Sequence, residues 1–311
     1  MTLARFTHKQ RRHVQARKRR VLRPLFQRNL EQRTLAKRSS FYIALALLLA
    51  SPGMAAGQFR ADSTRRQLER LVGDVWSNWS SPAHANAQDV EGVAAVVGIT
   101  GAAAMVDEPL QHWINDNPNA WPVAILHPLR ENAHYPAYEL GSGQFLLPIS
   151  AALYIAGTVS KSQGLRDAGL GCATAHLTAA GVRGLVFLFL QRDRPRTSPD
   201  DPFQIKLGGT RDWNKHSFFS GHIANSMGCA SFLAHRFDLS VAEPLIYGYV
   251  IAIGAGRVAD GRHWLSDTVF GALFGYAVGR AISSRMLERE RGPSAASAAS
   301  TPVTVSFSVP F

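Results

Sequence analysis

The chain has 311 residues, of which 46% are hydrophobic and only 18% charged, enough apolar material for one sizeable core. Its formal net charge of +12 suggests nucleic acid, but much of the Lys and Arg lies before residue 40, in runs such as Arg11-Arg12 and Arg17-Lys18-Arg19-Arg20. A basic leader explains those runs, and the chain lacks interleaved aromatics or a reading helix, so nucleic acid is set aside as a partner.

Residues 1–56 read as a basic leader and signal peptide or anchor. A polar basic stretch precedes the short apolar run Phe41–Ala50, which Ser51-Pro52-Gly53 breaks before the small residues Ala55-Ala56-Gly57. The run is short for a spanning helix. Residues 57–89 read as a polar linker with a helical piece around Ser63–Trp79. The predicted globular part, 90–288, is a series of about six core helices: 91–107, 145–159, 166–190, 221–236, 243–259 and 264–288. Long Ala, Leu and Gly stretches without β-branched alternation favour helix, and clusters such as Asp116-Asn117-Pro118-Asn119 mark turns. The expected fold class is therefore all-α, a helical bundle. No predicted core helix has a clean run of 18 apolar residues, and His176, Arg183, His222, Asn225, His235 and Arg257 lie inside them. Two readings stay open: a compact bundle, soluble or peripheral, or a membrane bundle whose polar residues line an active site.

Cys172 and Cys229 sit in apolar helical stretches and are expected as two buried free thiols. Trp113, Trp121, His127 and Tyr135–Tyr138 lie in a loop-rich stretch and are read as interhelical packing rather than a substrate entrance. Residues 289–311 are expected as a flexible C-terminal tail. Within it Val303, Val305, Phe307, Val309 and Phe311 alternate as on one strand face.

Three clusters carry the chemistry. Gln191-Arg192-Asp193-Arg194-Pro195-Arg196 follows an apolar helix, and guanidinium forks match phosphate oxygens. Ser217-Phe218-Phe219-Ser220-Gly221-His222 opens a helix with Ser220 as a plausible N-cap, so the amides of Gly221 and His222 face an anion. His222 there is placed to give a proton to a leaving oxygen. Finally Gly256-Arg257 precedes His263 and Asp267, which are four apart and would share a helix face. An Asp bonded to one ring nitrogen would leave the other free to attack. Together these form a kit for in-line phosphoryl transfer.

The clusters resemble the signature motifs of the type-2 phosphatidic acid phosphatase and vanadium haloperoxidase superfamily, Lys-x6-Arg-Pro, Pro-Ser-Gly-His and Ser-Arg-x5-His-x3-Asp. Here they read Phe187-x6-Arg194-Pro195, Phe219-Ser220-Gly221-His222 and Gly256-Arg257-x5-His263-x3-Asp267, and the resemblance covers roughly residues 90–285. It implies a phosphomonoesterase, acting on a phosphorylated small molecule or lipid through a phosphohistidine and requiring no metal or other cofactor. His263 would be the nucleophile, Asp267 its orienter and His222 the acid and base. Arg194, Arg257, Ser220 and Gly221 would bind phosphate. Phe219 and Gly256 replace a Pro and a Ser. Phe187 replaces the Lys that neutralises phosphate, and Arg183, Lys215 or Arg192 would have to stand in for it. The alternatives are a haloperoxidase with vanadate on His263, or an anion-binding envelope protein with a weakened site. The expected location is the cell envelope of a bacterium, in the periplasm or the inner membrane with a periplasm-facing site, so membrane association is possible in outline.

Overall fold

The computed structural model describes residues 61–126, 141–240 and 242–291. The leader, the 127–140 stretch with His127 and Tyr135–Tyr138, and the C-terminal segment from 292 lie outside these residues.

Among the described residues the chain forms nine α-helices: α1 (Ala61–Ser80), α2 (Ala87–Ala104), α3 (Asp107–Asp116), α4 (Trp121–Ala124), α5 (Gly143–Val159), α6 (Gln163–Phe189), α7 (Gly221–Phe237), α8 (Glu243–Ala259) and α9 (Leu265–Arg291). The all-α expectation holds, and the six expected core helices appear as α2 and α5 to α9. Their ends follow local chemistry. The Ser162 side chain accepts from the Leu165 amide at the start of α6, and Asp238 takes a left-handed φ of 49° where α7 stops. A short antiparallel ribbon was not expected: β1 (Leu190–Arg192) pairs with β2 (Ile205–Leu207), with Gln191 opposite Lys206.

The bundle is organised around the close approach of α7 and α9. Gly271, Gly275 and Gly279 recur every four residues on α9 and face the α7 backbone. A Cβ at Gly271 would lie 2.8 Å from the Ser220 carbonyl oxygen, and the contacts at Gly275 and Gly279 are closer still. Only residues without a side chain allow this, and it brings the start of α7 beside the start of α9. Phe232, Val278 and Ile282 pack with Ala175 of α6, while Ile223, Met227, Val250 and Ile253 join α7 to α8. The helix expected as part of a polar linker, α1, docks on this bundle. Trp79 lies against Gly181, Asn78 bonds Thr178, and the buried Asp74 carboxylate pairs with Arg289. By length and composition α6 is apolar enough to cross a membrane.

Cys172 and Cys229 are not free thiols. They form a disulfide between α6 and α7. Burial does not distinguish the two states, because a half-cystine in a core is as apolar as a thiol, and the sequence carried no information on their distance. The bridge closes a loop of 57 residues, for which chain entropy gives about 4 kcal/mol of stabilisation. The Cys172→Ala/Cys229→Ala protein should lose up to about that amount in urea unfolding, and reductant should destabilise the wild type but not the double variant.

Candidate active site

Four segments meet where α7 and α9 begin. The ribbon strand β1 delivers Arg192 and then Arg194, both buried. The segment before α7 delivers Ser217 and Ser220, α7 itself delivers Gly221 and His222, and the last turn of α8 delivers Arg257. A turn through Gly261, at a left-handed φ of 61°, then sets His263 just ahead of α9, and Asp267 lies in the first turn of that helix.

His263 and Asp267 are fully buried. The helical i,i+4 expectation for this pair needs correction, because α9 starts at Leu265, after His263. The carboxylate Oδ2 of Asp267 stands 3.7 Å from His263 Nδ1, beyond a hydrogen bond, whereas the Ser217 carbonyl oxygen lies 2.7 Å from Nδ1. A carbonyl only accepts, so Nδ1 carries the proton and Nε2 keeps its lone pair. Asp267 acts on the ring through its charge and through Ser217, whose hydroxyl donates to Oδ2 at 2.5 Å. The Trp264 amide donates to the same oxygen at 2.9 Å. Burial alone would raise the Asp267 pKa, but Arg192, His263 and Ser217 outweigh it and hold it below the ordinary value.

Behind Asp267 lies a buried network that the sequence did not announce. The Arg192 guanidinium donates to Asp267 Oδ1, to Asp107 Oδ2 at 2.8 Å, to Ser266 Oγ at 2.8 Å and to the Pro202 carbonyl at 2.9 Å. Asp107 in turn accepts from the Ser266 amide and hydroxyl. Arg192 is therefore committed to carboxylates and does not replace the missing Lys. Asp107 opens α3, a helix that Asp107-Glu108-Pro109 signals as an acidic, Pro-bearing N-terminus. Nothing in the sequence links it to Asp267.

Phe187 stacks on His216 with ring centroids 4.1 Å apart, and Trp213 meets it edge-on at 6.1 Å. Arg183, one turn earlier on α6, lies over the Phe187 ring at 4.3 Å and donates from Nε to the Phe219 carbonyl at 3.1 Å. Its guanidinium reaches the start of α7, since a Cβ on Gly221 would be 3.1 Å from Arg183 Cζ. Arg183, Gly221 and His222 line one pocket. Lys215 sits in the 3-10 turn Trp213–Lys215, partly exposed, and is not among the residues of that pocket. Of the stand-ins for the Lys, the structure brings Arg183 to the site.

Arg194 donates from Nε to the Trp213 carbonyl at 3.0 Å. Burial lowers the pKa of Arg183, Arg194 and Arg257 to about 10 each, which leaves all three charged at neutral pH. Burial, then Arg183 and Arg194, push His222 down to about 4. Burial, with Arg257 and Arg194 opposing the pull of Asp267, takes His263 down to about 3. The histidines are neutral in the unliganded protein, and the cluster is a cationic pocket suited to an anion. Ser220 occupies the N-cap position of α7 without capping. Its amide donates to the Asp267 carbonyl at 3.1 Å, and its buried hydroxyl has no partner among the described residues. Among the described residues no group of three or more His, Cys, Asp or Glu is arranged around a metal ion.

Removing Arg192 would leave two buried carboxylates sharing no cation. Arg192→Met should cost about 3–5 kcal/mol in chemical unfolding. Exposed Arg196→Met should cost much less, under about 0.5 kcal/mol.

No curated protein and no solved structure matches the chain. A family model described as the PAP2 superfamily matches residues 168–291, from α6 through α9, the stretch that holds Arg183, Arg194, Ser220, His222, Arg257, His263 and Asp267. That stretch is similar to the type-2 phosphatidic acid phosphatase superfamily.

Proposed function

We propose that this protein is a phosphomonoesterase working through His263 and His222. Members of the superfamily are generally phosphatases acting on phosphorylated substrates. The observation that carries the finer reading is the bond from His263 Nδ1 to the Ser217 carbonyl at 2.7 Å. It leaves the Nε2 lone pair free for attack, and Arg194 and Arg257 are near enough to act on the ring.

In this mechanism the phosphate is held by the three guanidinium groups, by the Ser220 hydroxyl and by the amides at the start of α7. The Nε2 lone pair of His263 attacks phosphorus as the bond to the leaving oxygen breaks, and His222 gives that oxygen its proton. A water then attacks the phosphohistidine, gives its proton to His222, and the N–P bond breaks, which returns both rings to their starting state. Asp267 stabilises the charge that His263 acquires in the intermediate. The steps draw on positioning and charge, which is where phosphoryl transfer gains most of its rate, and none of them calls on a metal. The disulfide supports an oxidising compartment, in agreement with the cell envelope as the location.

His222 at about 4 lacks the proton it must donate near neutral pH. A phosphate monoanion brings that proton with it, its second ionisation lying at about 6. With His263 neutral above its own pKa, kcat/KM should be greatest between about pH 4 and about pH 6 and fall roughly tenfold per unit above that. A flat profile to pH 8 would sink the assignment of His222. Steady-state assays on a generic phosphate ester should show that His263→Ala lowers kcat by at least about 10³-fold, and equal turnover in that variant would rule out the nucleophile. Arg183→Ala should lower kcat/KM roughly 10- to 100-fold, whereas Lys215→Ala should leave it within about twofold.

A further inference from the structure

Two cavities flank α7, and they lie on opposite faces of it. Ile223 and Met227 project into a cavity of about 310 Å³ whose walls are almost wholly apolar, among them Leu110, Val250 and Val258. His222 and Asn225 project into another of about 300 Å³, shared with His176, Arg183, Phe187 and Gly143. At 100° per residue, positions 222 and 225 sit across the helix from 223 and 227. A proton donated by His222 therefore goes to a group in the second cavity.

That cavity has polar walls with unmet capacity. His176 and Asn225 are more than nine-tenths buried, at 8% and 7% exposure. Among the described residues His176 Nδ1 and Asn225 Oδ1 meet no partner in hydrogen-bond geometry, and the two side chains lie close enough together for Asn225 to raise the pKa of His176 against its burial. The His176 ring lies so close to the backbone of α5 that a Cβ on Gly143 would overlap it. Position 176 is two turns from Arg183 on α6, and position 225 is one turn from His222 on α7. The pair thus stands beyond Arg183 on α6 and beyond His222 on α7.

We infer that this cavity is the leaving-group subsite and that it takes a neutral, hydroxyl-bearing alcohol, with His176 and Asn225 as its hydrogen-bonding partners. The inference rests on the phosphatase reading and adds the class of alcohol released. A hydroxyl both donates and accepts, so it satisfies Asn225 and His176 in either amide or ring orientation. An alkyl chain would leave both polar groups buried and unmet. A second phosphate carries only acceptor oxygens and negative charge, and among the described residues Arg183 is the sole guanidinium lining the cavity. Burial also lowers the pKa of His176, which disfavours the charged ring that a second anion would need.

The test uses the full-length protein and three probes, glycerol 3-phosphate, n-hexyl phosphate and inorganic pyrophosphate, with phosphate release measured for each. Glycerol 3-phosphate should exceed both others in kcat/KM by roughly 10-fold or more. Asn225→Leu should lower that value roughly 10- to 100-fold while raising kcat/KM for n-hexyl phosphate several-fold. Should that variant fail to fold, His176→Gln carries the same comparison. Turnover with n-hexyl phosphate or pyrophosphate preferred overturns the subsite alone, as does an equal loss on all three probes in a folded variant. Turnover of none of the three overturns the phosphatase reading and the subsite with it.

Discussion

Two fully buried carboxylates share one buried guanidinium, and the geometry of the site follows from that. Placing Asp107, Asp267 and Arg192 out of water costs several kcal/mol per ion, and the cost is offset only because nearly every donor and acceptor is met. Asp267 is held by Arg192, by the Ser217 hydroxyl and by the Trp264 amide, and Asp107 by Ser266 and Arg192. Arg192 also donates to Ser266 Oγ and to the Pro202 carbonyl. These bonds join α3, β1, the segment before α7 and the first turn of α9, which flank the start of α7 with His222 and the turn with His263. The triad also carries one net negative charge. Asp267 moderates the burial-driven loss of basicity at Arg183 and Arg194 and so helps to keep a cationic pocket cationic.

The parts of this arrangement legible in the sequence were those that depend on neighbours along the chain. The core helices could be read because Ala, Leu and Gly recur over several turns. The pocket residues could be gathered because three short motifs keep their internal spacing. Contacts between distant segments were hidden. Asp107 and Arg192 are 85 residues apart, and no local pattern pairs them. A three-residue strand has too few positions to show a period of two, so nothing in the sequence signals β1 and β2. The disulfide was missed for the same reason. The His263–Asp267 pair shows a subtler failure, since a spacing of four means a shared face only if both residues are helical. Here the turn at Gly261 ends so that α9 begins two residues past His263, and a backbone carbonyl takes the role expected of the carboxylate.

The aromatic at position 187 has a physical explanation in this light. Stacked on His216 and flanked by Trp213, Phe187 forms part of the wall of the pocket and a platform for the Arg183 guanidinium. A cation one turn earlier on α6 is about 5–6 Å further along the helix axis. The longer, planar side chain spans that distance and its Nε is fixed on the Phe219 carbonyl. The charge is thereby set against the start of α7, beside His222.

The disulfide fits the same geometry. Cys172 lies one turn before His176 on α6, and Cys229 lies one turn after Asn225 on α7. The covalent link therefore fixes the separation of α6 and α7 immediately next to the pair that lines the polar cavity. Farther along the same two helices, towards the phosphate site, Arg183 reaches across to Gly221. The cavity is thus bounded by a covalent clamp at one end and a guanidinium bridge at the other. Two helices held at both ends cannot spread without breaking one of these links, so the width between them here is set by the scaffold of α6 and α7.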